Sequence, residues 1–136
     1  MGMNALVRKV LAEAGVNEKR YTLWDVYPHA DFITYPSLYE GFGNAFLEAV
    51  YYRKPIVVND YSIYHKDIKP KGFQVIEIDG YVTEEAVQKA SWVLNDRRMC
   101  RRMVDHNYQL GRRYFSYEVL HSQLKAFMMV NRMAEP

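Results

Sequence analysis

Cysteine is nearly absent from this sequence, and long apolar runs are missing altogether. Because Cys100 is the one cysteine in 136 residues, an internal disulfide and a cysteine-based zinc site are excluded, and a reducing compartment is consistent with the composition. No apolar stretch approaches the roughly 18 residues that a membrane-spanning helix needs. The first residues have neither the apolar core nor the cleavage pattern of a secretory signal. We therefore expect a cytoplasmic protein without a membrane span.

An excess of charge of one sign is also lacking. The 18 basic residues stand against 16 acidic ones, for a net charge of +2, which is too small to argue for a nucleic-acid partner. No aromatic stacking platform accompanies the one basic cluster, so a solvated helix face is the favoured reading over nucleic-acid or phosphate binding. That cluster consists of Arg97, Arg98, Arg101 and Arg102, followed by Arg112 and Arg113.

Metal-ligand patterns are missing as well. The four histidines show no ligand spacing, and the sequence contains no Asp-x-Asp motif. We therefore expect no metal.

What is present is the composition and patterning of one globular domain, over residues 1–136. Hydrophobic residues are 49% and charged residues 25%, which is ordinary for a soluble protein. Short β-branched or apolar runs predict strands over residues 31–35, 55–59 and 73–78. Because helical patterns separate strands along the chain, we predict an α/β fold: a Rossmann-like, partial parallel sheet of about three strands, with flanking helices and a helical C-terminal segment.

Helical periodicity and capping residues indicate where the helices lie. Thr22 is placed to cap a short helix to residue 30, and Thr83 to cap a longer one. Residues 60–71 are expected to form a loop with about one helical turn. The remaining helices are predicted over residues 3–14, 44–52, 83–95, 97–111 and 116–133.

The loop after the first predicted strand, SLYEGFGN (residues 37–44), is the strongest candidate for a ligand site. In open α/β sheets, ligands bind beyond the carboxyl ends of the strands. Gly41 and Gly43 allow the backbone to approach a ligand closely. The amides that follow, near Asn44 and Ala45, point out of a helix start and suit a diphosphate or sugar hydroxyls.

Two carboxylates frame this loop. Glu40 lies within it, and Glu48 lies about one turn into the following helix. A carboxylate accepts paired hydrogen bonds from adjacent sugar hydroxyls, so a nucleotide diphosphate sugar matches the layout. A plainer alternative is that both glutamates only favour the helix start electrostatically, and that the glycines only serve the turn.

The run ADFITYPSLYEGFGNAFLEAVYYRKPIVVND resembles the signature of the retaining glycosyltransferases called family 4, or group 1. The hallmark of that family is two glutamates separated by seven residues, as Glu40 and Glu48 are here. Phe115 to Glu118 is similar to the aromatic-Ser-x-Glu that opens the last helix of the family. The resemblance covers roughly residues 22–127.

The resemblance implies an enzyme with two Rossmann-like domains (the GT-B fold) and an active site between them. This chain corresponds to the later part of the C-terminal, donor-binding domain. Glu40 would be the catalytic residue that contacts donor-sugar hydroxyls, and Glu48 would bind the ribose. No metal or other cofactor is implied. The backbone that would cradle the sugar and the phosphates comes from Gly41, Phe42, Gly43, Asn44 and Ala45.

The chain departs from the family in two ways. A Gly-Gly pair usually follows the second strand, but Asp60-Tyr61 stands there. By this resemblance, we expect the acceptor domain and the first donor-domain strands, with their Arg and Lys, to be absent from these 136 residues. We therefore expect a fragment or split gene product that is inactive without an N-terminal acceptor domain, in cis or in trans. The alternatives are a non-catalytic interaction or assembly module with a degenerate glycosyltransferase fold and, as a weaker one, a basic nucleic-acid-binding domain.

Truncation also predicts an exposed sheet edge. The strand over residues 31–35 lies centrally in the family's sheet, whereas here it would be an edge that invites pairing with another chain. We expect a homodimer or higher oligomer through this edge, formed by exchange of the helix over residues 3–14. The alternative is that this helix covers the edge within one chain. The Met-rich residues 127–130 are expected to be core or to contact the missing domain.

Overall fold

The structure is a computed structural model of the chain, and it describes residues 22–133. The predicted helix over residues 3–14 lies outside the described residues. A 3-10 turn, Tyr27–His29, follows the first described helix. In the part of the chain that the structure describes, the strands are β1 (Ile33–Tyr35), β2 (Ile56–Asn59) and β3 (Ile76–Ile78), and the α-helices are α1 (Leu23–Val26), α2 (Asn44–Tyr51), α3 (Glu84–Asn95), α4 (Arg97–Phe115) and α5 (Tyr117–Met133).

The three strands form one parallel sheet in the order β1-β2-β3. Ile33 pairs with Ile56, and Val57 pairs with Ile76. Helices connect the strands, as parallel pairing requires. The predicted Rossmann-like α/β architecture is therefore confirmed.

The third strand begins three residues later than predicted, and Asn107 supplies the physical reason. This α4 side chain is 1% exposed. Its Oδ1 accepts from the backbone N–H of Gln74 at 2.7 Å, and its Nδ2 donates to the Gln74 carbonyl at 2.6 Å. The amide thus satisfies the backbone that a strand neighbour would otherwise pair.

Both faces of the sheet are covered, as a parallel sheet requires. Ile56 and Val58 of β2 face α2, whereas Ile76 and Ile78 of β3 face α3 and α4. The first core cluster contains Tyr27, Phe46, Ala49, Val50, Ile56, Val58, Tyr61, Tyr64, Ile68 and Phe73. The second contains Ile76, Ile78, Ala86, Val93 and Met103.

Residues 60–71 are more helical than the sequence analysis predicted. A π-helical turn, Tyr64–Ile68, runs into a 3-10 turn, Lys69–Lys71. Tyr64 and Ile68 are four residues apart and are buried at 1% and 0% exposure. This spacing places both side chains on one face of a helical turn. The segment is therefore helical despite the polar residues between them.

The predicted end of α4 at Gly111 was wrong, because the helix continues to Phe115. A Cβ atom at Gly111 would lie 2.7 Å from Cγ1 of Val50 on α2. Gly111 therefore marks a close contact between two helices, where a side chain has no room. A single sequence does not distinguish a glycine that ends a helix from one that allows two helices to pack closely.

The last helix, α5, presents apolar side chains to solvent. Phe127 is 66% exposed, and Met128 and Val130 are similarly exposed. The expectation that residues 127–130 belong to the core is therefore wrong, whereas their expected contact with a further domain stays a prediction. Among the described residues, no helix combines the length and the apolarity needed to cross a membrane.

Within residues 22–133, β1 pairs with β2 only and so forms one edge of the sheet. The predicted oligomer through this edge stays a prediction. So does the alternative that residues 3–14 cover it, since those residues lie outside the described part.

We predict that Asn107→Ala lowers the free energy of unfolding by about 1–3 kcal/mol, because two buried hydrogen bonds to the Gln74 backbone are lost. Urea denaturation of the purified chain measures this. Gln109→Ala, on the exposed side of the same helix, serves as the control and should change stability by no more than about 0.5 kcal/mol. Equal effects of the two substitutions would contradict the role given to Asn107.

Candidate functional site

The loop at the carboxyl end of β1 leads directly into α2. Gly43 is the N-cap of α2, with φ +96° and ψ 63°. Among the described residues, no side chain caps this N-terminus, so the amides of Asn44 and Ala45 point outward without an intrahelical acceptor. Asn44 is exposed. Such a helix start attracts an anion through its amides and its dipole.

Tyr61 lies directly beneath this loop. It is 2% exposed, and its hydroxyl donates to the Phe42 carbonyl at 3.1 Å. A Cβ atom at Gly43 would lie 2.2 Å from the Tyr61 hydroxyl oxygen. Gly43 therefore admits both a left-handed backbone and the close approach of a buried tyrosine.

The loop is also fixed from its other side. The ring of Phe42 lies edge-on to Phe115 of α4, with ring centroids 5.4 Å apart. Phe115 is the aromatic residue of the aromatic-Ser-x-Glu segment, and the Ser116 hydroxyl accepts from the N–H of Val119 at the start of α5. Tyr39, at the tip of the loop, is 92% exposed. The tip is thus open to a ligand while the end of the loop is anchored.

Glu40 lies beside two tyrosine hydroxyls. Burial raises the pKa of Tyr35 above its usual value, and the neighbouring Glu40 carboxylate raises it further. Burial and then the charge of Glu40 likewise raise the pKa of Tyr61 to about 12. Both hydroxyls therefore stay protonated at neutral pH and can donate hydrogen bonds.

Glu48 lies one turn into α2 and has a tyrosine partner of its own. The hydroxyl of Tyr27 donates to Oε2 of Glu48 at 2.8 Å. Burial, followed by the hydrogen bond to Glu48, raises the pKa of Tyr27 to about 12. Glu48 is only half-buried, so its carboxylate remains accessible to a ligand.

A groove of about 570 Å³ borders Glu48, between α2, α4 and the start of α5. Five of its twelve lining residues are aromatic, and Glu40 is not among them. Glu48 borders the groove and accepts a hydrogen bond from Tyr27, whereas Glu40 lies with Tyr35 and Tyr61 at the strand ends. The two glutamates therefore belong to separate groups of side chains. The groove is lined by Trp24, Leu47, Glu48, Val50, Tyr51, Tyr108, Gly111, Arg112, Phe115, Ser116, Tyr117 and Glu118.

The segment after β2, where Asp60-Tyr61 stands in place of the Gly-Gly pair of the resembled family, is held by contacts between polar and charged side chains. His65 Nδ1 lies 3.0 Å from Oδ2 of Asp60. Lys69 Nζ lies 3.6 Å from the same atom and 2.5 Å from Oε1 of Glu77. Asp60 is thus engaged within the protein, and in the described part of the chain no three His, Cys, Asp or Glu side chains form a group that could hold a metal ion.

Tyr27 and Tyr61 contact the site but are not among the site residues predicted from the sequence. Tyr61 follows the end of β2 by two positions. Because ligand sites in open α/β sheets lie at the carboxyl ends of the strands, this position could have identified it. Tyr27 precedes β1, and it meets Glu48 only because the chain folds back. The abundance of tyrosine, with 12 residues, was the one hint of its role.

Comparison with known proteins identifies the family of the chain. The family model described as "Glycosyl transferases group 1" matches residues 14–110. The chain belongs to this family of glycosyltransferases, and the resemblance read from its sequence is confirmed.

Two curated relatives carry the name mannosylglucosylglycerate synthase. The one from Thermotoga maritima is 36% identical over 124 residues, which cover 82% of this chain and 29% of the relative. The one from Petrotoga mobilis is 52% identical over 61 residues, which cover 45% of this chain and 14% of the relative. The chain thus spans less than a third of either relative. No solved structure gives a significant match.

We predict that Gly43→Ala destabilises the chain by about 2–5 kcal/mol, because a side chain there strains a left-handed backbone and collides with Tyr61. Gly41→Ala is the matched control: its φ is not positive and nothing lies within 4 Å of the added Cβ, so its effect should stay within about 0.5 kcal/mol. Thermal and urea unfolding give both values.

Adding Tyr61→Phe to Gly43→Ala removes the oxygen that lies 2.2 Å from the new Cβ but leaves the backbone strain. The double variant should therefore recover part of the lost stability. If Gly41→Ala proves as harmful as Gly43→Ala, the described contact between Gly43 and Tyr61 is wrong.

Proposed function

We propose that this chain binds a nucleotide diphosphate sugar as part of the donor-binding domain of a retaining GT-B glycosyltransferase. The observation that carries the proposal is the uncapped start of α2, which has Glu40 on the preceding loop and Glu48 one turn further along the helix. Family membership supports it, because group 1 glycosyltransferases match over residues 14–110.

In this proposal the diphosphate lies at the start of α2. The backbone of Gly41 to Ala45 surrounds it, and the amides of Asn44 and Ala45 donate to its oxygens. The helix dipole favours the anion over a neutral ligand. Transfer places negative charge on the departing diphosphate, and preorganised amides stabilise such charge.

The two glutamates bind hydroxyls at opposite ends of the donor. Glu40 accepts from the donor sugar and is the catalytic residue, since it touches the group that is transferred. Glu48 accepts from the ribose. Ionised carboxylates accept stronger hydrogen bonds than neutral oxygens do, and they offer two oxygens to adjacent hydroxyls.

The relatives extend the proposal to a class of product. Both are named as synthases of mannosylglucosylglycerate. We assign to the enzyme that includes this chain the formation of a hexosyl glycoside of glycerate, with a mannose nucleotide as the first donor to test. In this proposal transfer requires an acceptor domain, supplied in cis or in trans.

We predict that nucleotide diphosphate sugars bind to the chain and shift the amide signals of residues 40–48 in a ¹⁵N NMR titration. GDP-mannose, UDP-glucose and ADP-glucose form the test panel. Glu48→Gln should weaken binding about tenfold, because a charge-assisted hydrogen bond to the ribose is lost. Glu40→Gln should weaken binding of the sugar nucleotide but not that of the nucleoside diphosphate without its sugar.

Glu84→Gln provides the matched control, since it makes the same chemical change on the exposed first turn of α3. It should leave all affinities unchanged. If no donor shifts these amides, the proposal fails and the non-catalytic assembly module becomes the better reading. Nucleic-acid binding with steep salt dependence would instead favour the basic-domain alternative.

A further inference from the structure

Tyr27 lies in the turn before β1, yet its side chain reaches Glu48 on α2. Its side chain is 8% exposed, and its hydroxyl donates to Oε2 of Glu48 at 2.8 Å. No other described side chain donates a hydrogen bond to that carboxylate. Oε1 of Glu48 is therefore left for a ligand.

The geometry of α2 explains how one ring reaches this carboxylate. Glu48 and Tyr52 are four residues apart, so their side chains lie on one face of the helix, one turn from each other. The ring of Tyr27 lies flat on that of Tyr52, with centroids 5.0 Å apart and an interplanar angle of 1°. This stacking directs the Tyr27 hydroxyl toward the preceding turn, where Glu48 projects.

Neighbouring contacts hold the Tyr27 segment on α2. Trp24 packs against Tyr51 and Tyr52, with ring centroids 6.4 Å and 5.8 Å away. Lys54 Nζ donates to the carbonyl of Pro28 at 2.9 Å. The tyrosine is thus fixed by aromatic packing and by a backbone contact, independently of its bond to Glu48.

We propose that Tyr27 is a positioning residue that holds the Glu48 carboxylate for the two ribose hydroxyls of a nucleotide. This inference rests on the proposed function. A free glutamate side chain samples several rotamers and loses that freedom when it binds. A hydrogen bond to Oε2 fixes the rotamer in advance and leaves Oε1, together with a remaining lone pair of Oε2, for two adjacent hydroxyls.

The chemistry of the pair suits this role across the physiological range. Because burial and Glu48 raise the pKa of Tyr27 to about 12, the hydroxyl stays a donor at neutral and moderately alkaline pH. The phenol also supplies a neutral donor, so the carboxylate keeps its full negative charge. A lysine or arginine in place of Tyr27 would offset the negative charge of Glu48, to which the ribose hydroxyls donate.

The test compares one ligand that has the ribose hydroxyls with one that lacks them. UDP, ADP and GDP are screened by calorimetry against the full chain, and the tightest is paired with its 2′,3′-dideoxy form. Tyr27→Phe keeps the ring that stacks on Tyr52 and removes only the hydroxyl. We expect it to weaken the ribonucleotide about fivefold and to change the dideoxy ligand by less than about twofold.

Tyr81→Phe is the matched control, since it removes a hydroxyl from an exposed ring that lies beyond β3 and outside the groove. It should change neither affinity. If Tyr27→Phe weakens both ligands equally, or neither, the positioning role is wrong while nucleotide binding stands. If the wild-type chain binds no nucleotide, the proposed function fails and this inference fails with it.

Discussion

The contact between Gly43 and Tyr61 is the constraint on which the arrangement of the loop depends. Tyr61 enters from the segment after β2, and Gly43 begins the helix after β1, so one contact joins the carboxyl ends of neighbouring strands. With a Cβ atom at Gly43 only 2.2 Å from the tyrosine oxygen, no other residue fits without displacing one of the two elements. The same tyrosine donates to the Phe42 carbonyl, which fixes where the amides of α2 point.

Hydrogen bonds from buried tyrosines to glutamate carboxylates recur in this domain. The hydroxyl of Tyr27 donates to Glu48, and the hydroxyl of Tyr64 donates to Glu77. Both tyrosines are buried. Each ring adds apolar area to the first core cluster, while each hydroxyl holds a carboxylate at the edge of that cluster. Packing and carboxylate orientation are therefore linked at Tyr27 and Tyr64.

Patterns that are local in the chain predicted much of this structure. The strand around Ile33 and the helix from Asn44 follow from short apolar runs and their spacing, and Thr83 caps α3 by accepting from the Ala86 N–H, as expected. The failures involve residues whose partners are distant. Gly111 was read as a helix end because Val50 could not be seen from it, and the start of β3 depends on Asn107, 33 positions from Gln74.

The edge-on contact of Phe42 and Phe115 links the loop to the hinge between the last two helices. Ser116 is extended, with φ −74° and ψ 161°, so α5 changes direction one residue beyond Phe115. Dense interiors pass displacements on instead of absorbing them. A surface that packs against the apolar side of α5 and shifts this helix therefore also displaces the ring of Phe115, and with it Phe42 in the loop.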